Sequence, residues 1–238
     1  MATREEAKSQ RREQITDAAR SLMRSGDTGF TMRNLADAAG VSIATPYNLF
    51  GSKQAVMFAV LETDLAHFTA LVTSQDVDAL ERIFRAVSLA TEHYARDPEY
   101  HRAVLFAAYT DGGREYRSLF AGPGHALWRD MVRQAVDDGY LDRGLEPDAF
   151  AATLEQLLFS CVLGWVQGQL SLEELLLRAH YGFALVLLGA ARPRPRAALK
   201  ARMTDLQRRL GALWRAQLAD QTPDDSGDAA EPPDRRRA

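Results

Sequence analysis

The feature that most constrains this chain is a near-unbroken succession of apolar residues at helical spacing, punctuated by compact breakers. No stretch alternates with period two for long enough to make a strand. Between Lys8 and Arg24, Ile15, Ala18, Ala19, Leu22 and Met23 fall at i, i+3, i+4, i+7 and i+8, one apolar stripe among charged residues. Gly26 and Gly29 end that segment. Thr31 is placed to N-cap a second helix reaching Ala39, and Gly40 supplies a left-handed turn after it. Ser42 is placed to cap a short third helix ending near Phe50. Gly51 and Ser52 break and re-cap, and a long fourth helix starts at Lys53 and runs towards Thr73. Segments 78–96, 99–110, 124–138, 147–169 and 171–190 carry the same period, separated by Asp97-Pro98, Asp111-Gly112-Gly113, Gly122-Pro123-Gly124, Gly139 and Gly144. The expected fold class is all-α.

Charge divides the chain more sharply than its net value of −3 suggests. Residues 1–53 carry eight Lys/Arg against six Asp/Glu, whereas residues 54–191 carry ten against nineteen. Residues 192–219 then carry eight against one, and residues 220–238 three against six. A surface for the phosphate backbone must therefore come from one of the ends. The single cysteine, Cys161, excludes an intrachain disulfide. His67, His93, His101, His125 and His180 show no paired ligand spacing, so no metal and no cofactor is expected. The charged N-terminus has no apolar signal segment behind it, and no run of about eighteen apolar residues suggests a span. A cytoplasmic protein without membrane contact is expected.

The informative stretch is Thr31-Met-Arg-Asn-Leu-Ala-Asp-Ala-Ala-Gly-Val-Ser-Ile-Ala-Thr-Pro-Tyr-Asn-Leu-Phe50, followed by Gly51-Ser-Lys53. Ala36 is small enough for two helices to cross closely, Gly40 makes the turn, and Val41 plugs the angle between the helices. A short third helix packed in this way leaves its outer face free for a major groove about 12 Å wide. A bare A-x-x-x-G turn could be an ordinary helical hairpin; the cap, Tyr47, Phe50 and the trailing Ser-Lys at fixed spacing argue for a DNA-reading helix-turn-helix.

This stretch, with the helix before it, resembles the DNA-binding domain of the tetracycline-repressor (TetR) family over roughly residues 10–60. The pattern T-x-R-x-L-A-x-x-A-G-V-S-x-x-T-x-Y-x-x-F-x-S-K is met almost throughout. The resemblance implies that Thr31, Thr45, Tyr47 and Lys53 touch phosphates, while Arg33, Ile43, Ala44, Pro46 and Asn48 face base edges, with Ser42 opening the recognition helix. Two positions depart from the pattern. Leu49 stands where the family usually has His or Tyr, and Pro46 would forfeit the hydrogen bond to the Ser42 carbonyl unless the first turn is tighter. With Ile43, Ala44 and Pro46, the reading head is unusually apolar, which suggests contact with thymine methyls and an adenine contact from Asn48.

Beyond the motif, the resemblance implies a helical ligand-binding and dimerisation domain. Its last two main helices would form a four-helix interface with a symmetry mate. Gly164 and Gly168, one turn apart, and the almost wholly apolar segment ending at Gly189 point to the same surface, for which Gly164, Gly168, His180, Phe183 and Leu187 are candidates. The resemblance also implies an effector pocket among the central helices, and Phe68, Tyr94, Phe106, Tyr109, Trp128, Phe159, Cys161 and Trp165 are its candidate walls. Plain core packing is the competing reading for each.

The expected organisation is a helix-turn-helix domain over 1–53, a helical ligand-binding and dimerisation domain over 54–191, a basic accessory helix over 192–219 and a disordered acidic tail over 220–238. Arg192-Pro-Arg-Pro-Arg196 reads as a stiff extended connector. The function read from the sequence is a homodimeric regulator, in repressor mode, that binds palindromic operator DNA and is released by an unidentified small-molecule effector. The alternatives are a ligand-independent regulator and, more remotely, a helical-bundle carrier or enzyme. No catalytic set is found: Asp111, Glu115 and His125 are near in sequence only, in turn-rich stretches where charge is usually solvated.

Overall fold

In a computed structural model, which describes residues 4–25, 29–111 and 120–221, the described chain forms ten α-helices and one π-helical turn. The helices are α1 (Arg4–Arg24), α2 (Met32–Ala38), α3 (Ala44–Phe50), α4 (Lys53–Thr73), α5 (Ala79–Arg96) and α6 (Pro98–Asp111). After the π-turn Phe120–Gly124 come α7 (His125–Asp137), α8 (Pro147–Val166), α9 (Leu172–Ala190) and α10 (Pro193–Gln221). The expected all-α class is observed; the only strand-like pairing among the described residues is an isolated bridge between Leu141 and Ala191.

Local chemistry accounts for the helix ends. Side-chain oxygens of Thr31, Ser52, Asp78 and Ser171 accept the amides of Asn34, Ala55, Glu81 and Glu174, and Ser171 and Glu174 complete a reciprocal capping box. Two main cores and a smaller satellite follow. A small one joins Ile15, Ala19 and Met23 of α1 with Leu35 of α2, Val56 and Val60 of α4, and Tyr100 and Val104 of α6. A large one gathers α5, α7, α8, α9 and α10 around Ile83, Phe84, Met131, Leu154, Phe183 and Leu187. The long α4 belongs to both halves: its first turns close the small core, and Val72 at its far end enters the large one.

One expectation about the chain's end is corrected. Residues 192–196 are not an extended connector, because α10 begins at Pro193 and runs to Gln221. Pro193 and Pro195 sit in the first turn, where amide hydrogens have no intrahelical acceptor, so a helix can begin with them at no cost in hydrogen bonds. Leu199, Leu206 and Leu210 of α10 are buried in the large core, and Arg202 donates to Glu81 at 2.5 Å with its guanidinium 4.1 Å from the Phe84 ring centre. Of the acidic tail expected to be disordered, 220–238, Asp220 and Gln221 belong to α10, and the rest lies outside the described residues.

By length and composition alone α4 and α8 are apolar enough to cross a membrane, which the sequence reading had not expected. Only part of each, 17% and 22% of the two apolar windows, is internal. Val56, Val60 and Val72 of α4 and Leu154, Val162 and Trp165 of α8 are buried among neighbouring helices, and Asp64 of α4 is ion-paired to Arg20.

Candidate nucleic-acid interface and inner cavity

The turn between α2 and α3 is fixed by main-chain hydrogen bonds. The Val41 amide donates to the Ala36 carbonyl at 2.9 Å and the Gly40 amide to the Asp37 carbonyl at 3.1 Å, the paired bonds of a Schellman ending. Gly40 takes φ +64°, a left-handed conformation that costs a residue with a Cβ energy. At the other end of α2, Thr31 accepts the Asn34 amide at 3.2 Å while its own amide donates to Asn34 Oδ1 at 2.9 Å. A capping box thus forms with Asn where Glu or Gln is usual.

Ser42 does not cap α3 through an amide. Its hydroxyl bonds the Thr45 hydroxyl at 2.9 Å, and its carbonyl accepts the Thr45 amide at 2.9 Å. That bond spans three residues rather than four and lets Pro46 sit in the first helical turn. There its missing amide leaves no gap, so the tighter turn resolves the proline problem. The same geometry corrects the expected role of Pro46. It is buried against the domain, so it faces no base edge.

What points outward from α3 is the pair of pairs at helical spacing Ile43, Ala44, Tyr47 and Asn48, with Ser42 ahead of them; Ile43 is 42% and Tyr47 51% exposed. Thr45 is half-buried, and Leu49 turns inward onto the small core. Thr31 and Arg33 are exposed beside this face. Lys53 opens α4 with its ammonium 4.7 Å from the centre of the Phe30 ring.

Two residues of α1 hold the reading head, and the sequence reading missed both. Gln14 donates to the Ala39 carbonyl at 2.7 Å, tying α1 to the turn. Arg12 donates to the Leu49 carbonyl at 2.6 Å and lays its guanidinium 4.2 Å from the Phe50 ring centre, gripping the C-terminal end of α3. Both lie on the polar side of α1, where periodicity reports only solvent exposure. No sequence signal separates a solvated Arg from one that reaches back to a carbonyl 37 residues away.

Further along α4 lies a half-open cavity of about 140 Å³, walled by Leu61, Leu65, Phe68, Trp128 and Leu158 among others. Of the candidate pocket residues, Phe68, Tyr94 and Trp128 line it. The others do not. Phe106 and Phe159 are exposed, at 55% and 39%. Trp165 is fully buried, stacked on Tyr94 at 5.2 Å, and Cys161 packs beside it in a satellite core, where burial pushes its thiol pKa up. The side chain of Tyr109 lies outside the described residues. The polar groups in the wall are ones the sequence reading passed over: Asp64, His93, Tyr100 and His101. They come from three helices, so no sequence spacing announces them.

The candidate dimer residues also fall elsewhere. His180, Phe183 and Leu187 lie on the inner face of α9. Phe183 and Leu187 are fully buried, and His180 Nε2 donates to the Phe84 carbonyl of α5 at 3.1 Å. Gly168, at φ +74°, and Gly164 shape the α8–α9 turn. The Gln169 amide donates to the Gly164 carbonyl at 2.8 Å, and a Cβ on Gly164 would meet Leu170 of the same chain at 3.0 Å. None of the five is a surface for a second chain, except that Gly168 is exposed at the turn. The outer faces of the two helices instead carry Ala152, Thr153, Gln156, Phe159 and Ser160 of α8 and Leu185 and Gly189 of α9. His125, grouped with Asp111 and Glu115 in sequence, bonds Glu155 at 2.9 Å and Asp148 at 3.2 Å and so ties α7 to α8. The Asp111 and Glu115 side chains lie outside the described residues.

Residues 15–60 match the family of bacterial regulatory proteins described as tetR. No curated protein matches the chain. Among solved structures, the chain is similar to FadR of Thermus thermophilus, a TetR-family transcriptional repressor in complex with lauroyl-CoA. The TM-score is 0.62 at 23% identity, over 75% of this chain and 94% of that one. It is also similar to FadR of Bacillus subtilis in complex with stearoyl-CoA (TM-score 0.59, 17% identity, 74% and 97% covered). A third is SmeT, the repressor of the Stenotrophomonas maltophilia multidrug efflux pump SmeDEF (TM-score 0.59, 18% identity, 76% and 91% covered). At these identities the likeness is one of fold. The helix-turn-helix geometry and the family match over it identify residues 15–60 as a tetR-type DNA-binding domain, and the described chain shares its helical fold with these structures.

Proposed function

We propose that the protein is a cytoplasmic, homodimeric repressor that binds palindromic operator DNA and is released by a small molecule held in the cavity beside α4. The observation that carries the DNA-binding reading is the outward face of α3, Ile43, Ala44, Tyr47 and Asn48, presented on a turn locked by Gly40, Arg12 and Gln14. Ile43 and Ala44 are suited to thymine methyls and Asn48 to a bidentate adenine contact. Thr31, Arg33, Ser42, Thr45, Tyr47 and Lys53 ring this face with groups able to hold phosphates or reach a base edge. The outer surfaces of α8 and α9 are the proposed dimer face, and a two-fold dimer would set two α3 helices one duplex turn apart.

The coupling reading rests on α4. Its first turns belong to the core that supports α3, and Leu61, Asp64, Leu65 and Phe68 one to four turns on belong to the cavity wall. A ligand that shifts α4 would change the distance between the two reading heads, and about 1–3 kcal/mol of coupling suffices for a useful switch.

A gel shift on the DNA upstream of the protein's own gene tests the reading. Specific retardation with a two-fold footprint is expected, and Asn48→Ala should lose about 1–3 kcal/mol of discrimination at an adenine position. A footprint without thymine at the positions under α3 would remove the methyl contacts. Binding that is indifferent to sequence would refute the regulator itself.

A further inference from the structure

The polar atoms of the α4 cavity define what kind of head group a ligand must carry. Tyr100 and His101 are 4% and 8% exposed, and the Tyr100 hydroxyl and His101 Nε2 are both buried without a hydrogen-bond partner. A buried polar atom left unpaired costs about 1–3 kcal/mol, so two of them side by side in a cavity wall mark a place built to be satisfied from inside it. His101 Nδ1 lies 2.8 Å from the Asp97 carbonyl oxygen, which can only accept, so Nδ1 carries the hydrogen. Burial holds the ring's pKa below its ordinary value, against the pull of Asp97 and Asp64, which keeps the imidazole neutral. Nε2 is then a bare lone pair. The Tyr100 hydroxyl can donate or accept, and Asp64 accepts, with Oδ1 already taking Arg20 Nη2 at 2.9 Å. His93 stands edge-on to His101 at 4.4 Å and is likewise held neutral, chiefly by burial.

This rests on the reading of the cavity as the effector site and goes beyond it in naming the chemistry. We infer that the cavity takes a small, one-ring-sized apolar molecule whose head group donates a hydrogen bond to His101 Nε2: a hydroxyl, which also accepts from the Tyr100 hydroxyl, or an ammonium, which also donates to Tyr100 Oη and the Asp64 carboxylate. Size sets the ring, and charge excludes an anionic head. A cavity of about 140 Å³ is close to the ~150 Å³ apolar cavity known to hold one benzene ring. A carboxylate head in this wall would leave Nε2 unsatisfied and face the Asp64 charge among apolar walls. An anionic head group does not fit this wall.

The test is a panel of matched probes, benzyl alcohol, benzylamine, toluene and benzoate, titrated calorimetrically into the full-length protein. At least one of the two donor-bearing probes should bind ten or more times tighter than both toluene and benzoate. Tyr100→Phe, which removes one oxygen and little volume, should weaken that probe by roughly fivefold to tenfold and leave toluene unchanged. Benzoate binding as tightly as the better donor, or toluene matching it, would overturn the inference. Running the same panel against operator-bound protein separates the two levels. Donor probes that bind but leave DNA affinity unmoved would refute the effector reading alone. Benzoate that binds best and releases DNA would refute the donor inference alone.

Discussion

His180 offers a perturbation whose size follows from the structure. The imidazole sits between α9 and α5. Nε2 faces the Phe84 carbonyl at 3.1 Å and the Ser88 hydroxyl at 3.3 Å, and the ring stands edge-on to Phe84 at 5.6 Å. Burial is the main reason its pKa falls from 6.5 to about 4; the Phe84 carbonyl pulls the other way, and Arg202 and Arg209 of α10 lower it further. Because the folded value lies below the unfolded one, the unfolded chain takes up this proton first as the pH falls. The stabilisation is therefore complete above about pH 6.5 and is lost progressively down to about pH 4. Linkage over that interval gives a loss of about 2 kcal/mol at pH 5 and about 3 kcal/mol at pH 4 from this one side chain. Urea unfolding of the wild type and of His180→Gln across pH 7 to pH 4 isolates it. Gln keeps a donor for the Phe84 carbonyl and does not titrate, so the difference between the two stability curves should close by those amounts on acidification. Curves that run parallel through that window would refute the reasoning.

Other consequences are equally direct. Arg12→Ala removes a bond to the Leu49 carbonyl and the contact with Phe50, so operator affinity should fall by about tenfold while probe binding in the cavity stays unchanged; anisotropy and calorimetry read the two. Gly40→Ala meets no neighbour but forces an alanine to φ +64°, which should lower stability by about 1 kcal/mol and be visible as a drop in Tm. Thr31→Ala removes the α2 cap and should cost a similar amount. Truncation after Ala191 strips α10 from the large core and should destabilise the protein, because Leu199, Leu206 and Leu210 lose their burial. If α10 only packs, the salt dependence of DNA binding is unaltered in whatever remains folded; a shallower slope would show that its basic residues grip the duplex.

Some features of this chain were legible without coordinates because they are set by neighbours in sequence. The all-α class, the Thr31 cap, the Gly40 turn and the helix ends near residues 96, 137 and 190 depend on caps, breakers and a period of 3.6, all local quantities. The helix-turn-helix was legible for the same reason. Its spacing is its geometry. What depends on which side of a helix meets which neighbour was not fixed locally. Pro46 is buried and not reading DNA because the first turn of α3 closes over three residues, which rotates the helix by a fraction of a turn. Gly164 and Gly168 looked like a crossing point for a partner helix, yet they shape a turn inside one chain. Apolar stripes could not say which aromatics wall a cavity and which fill a core. Trp165 and Phe68 look alike in sequence and differ only in what α5 and α6 bring beside them. The polar groups of that cavity were the least visible of all, because Asp64, His93, Tyr100 and His101 stand on three helices and come together only where those helices meet. The sequence determined that this protein carries a DNA-reading helix-turn-helix on a helical bundle. Tertiary packing decided which faces of that bundle are free, since the energy of burial belongs to pairs of surfaces and not to either strip of sequence alone.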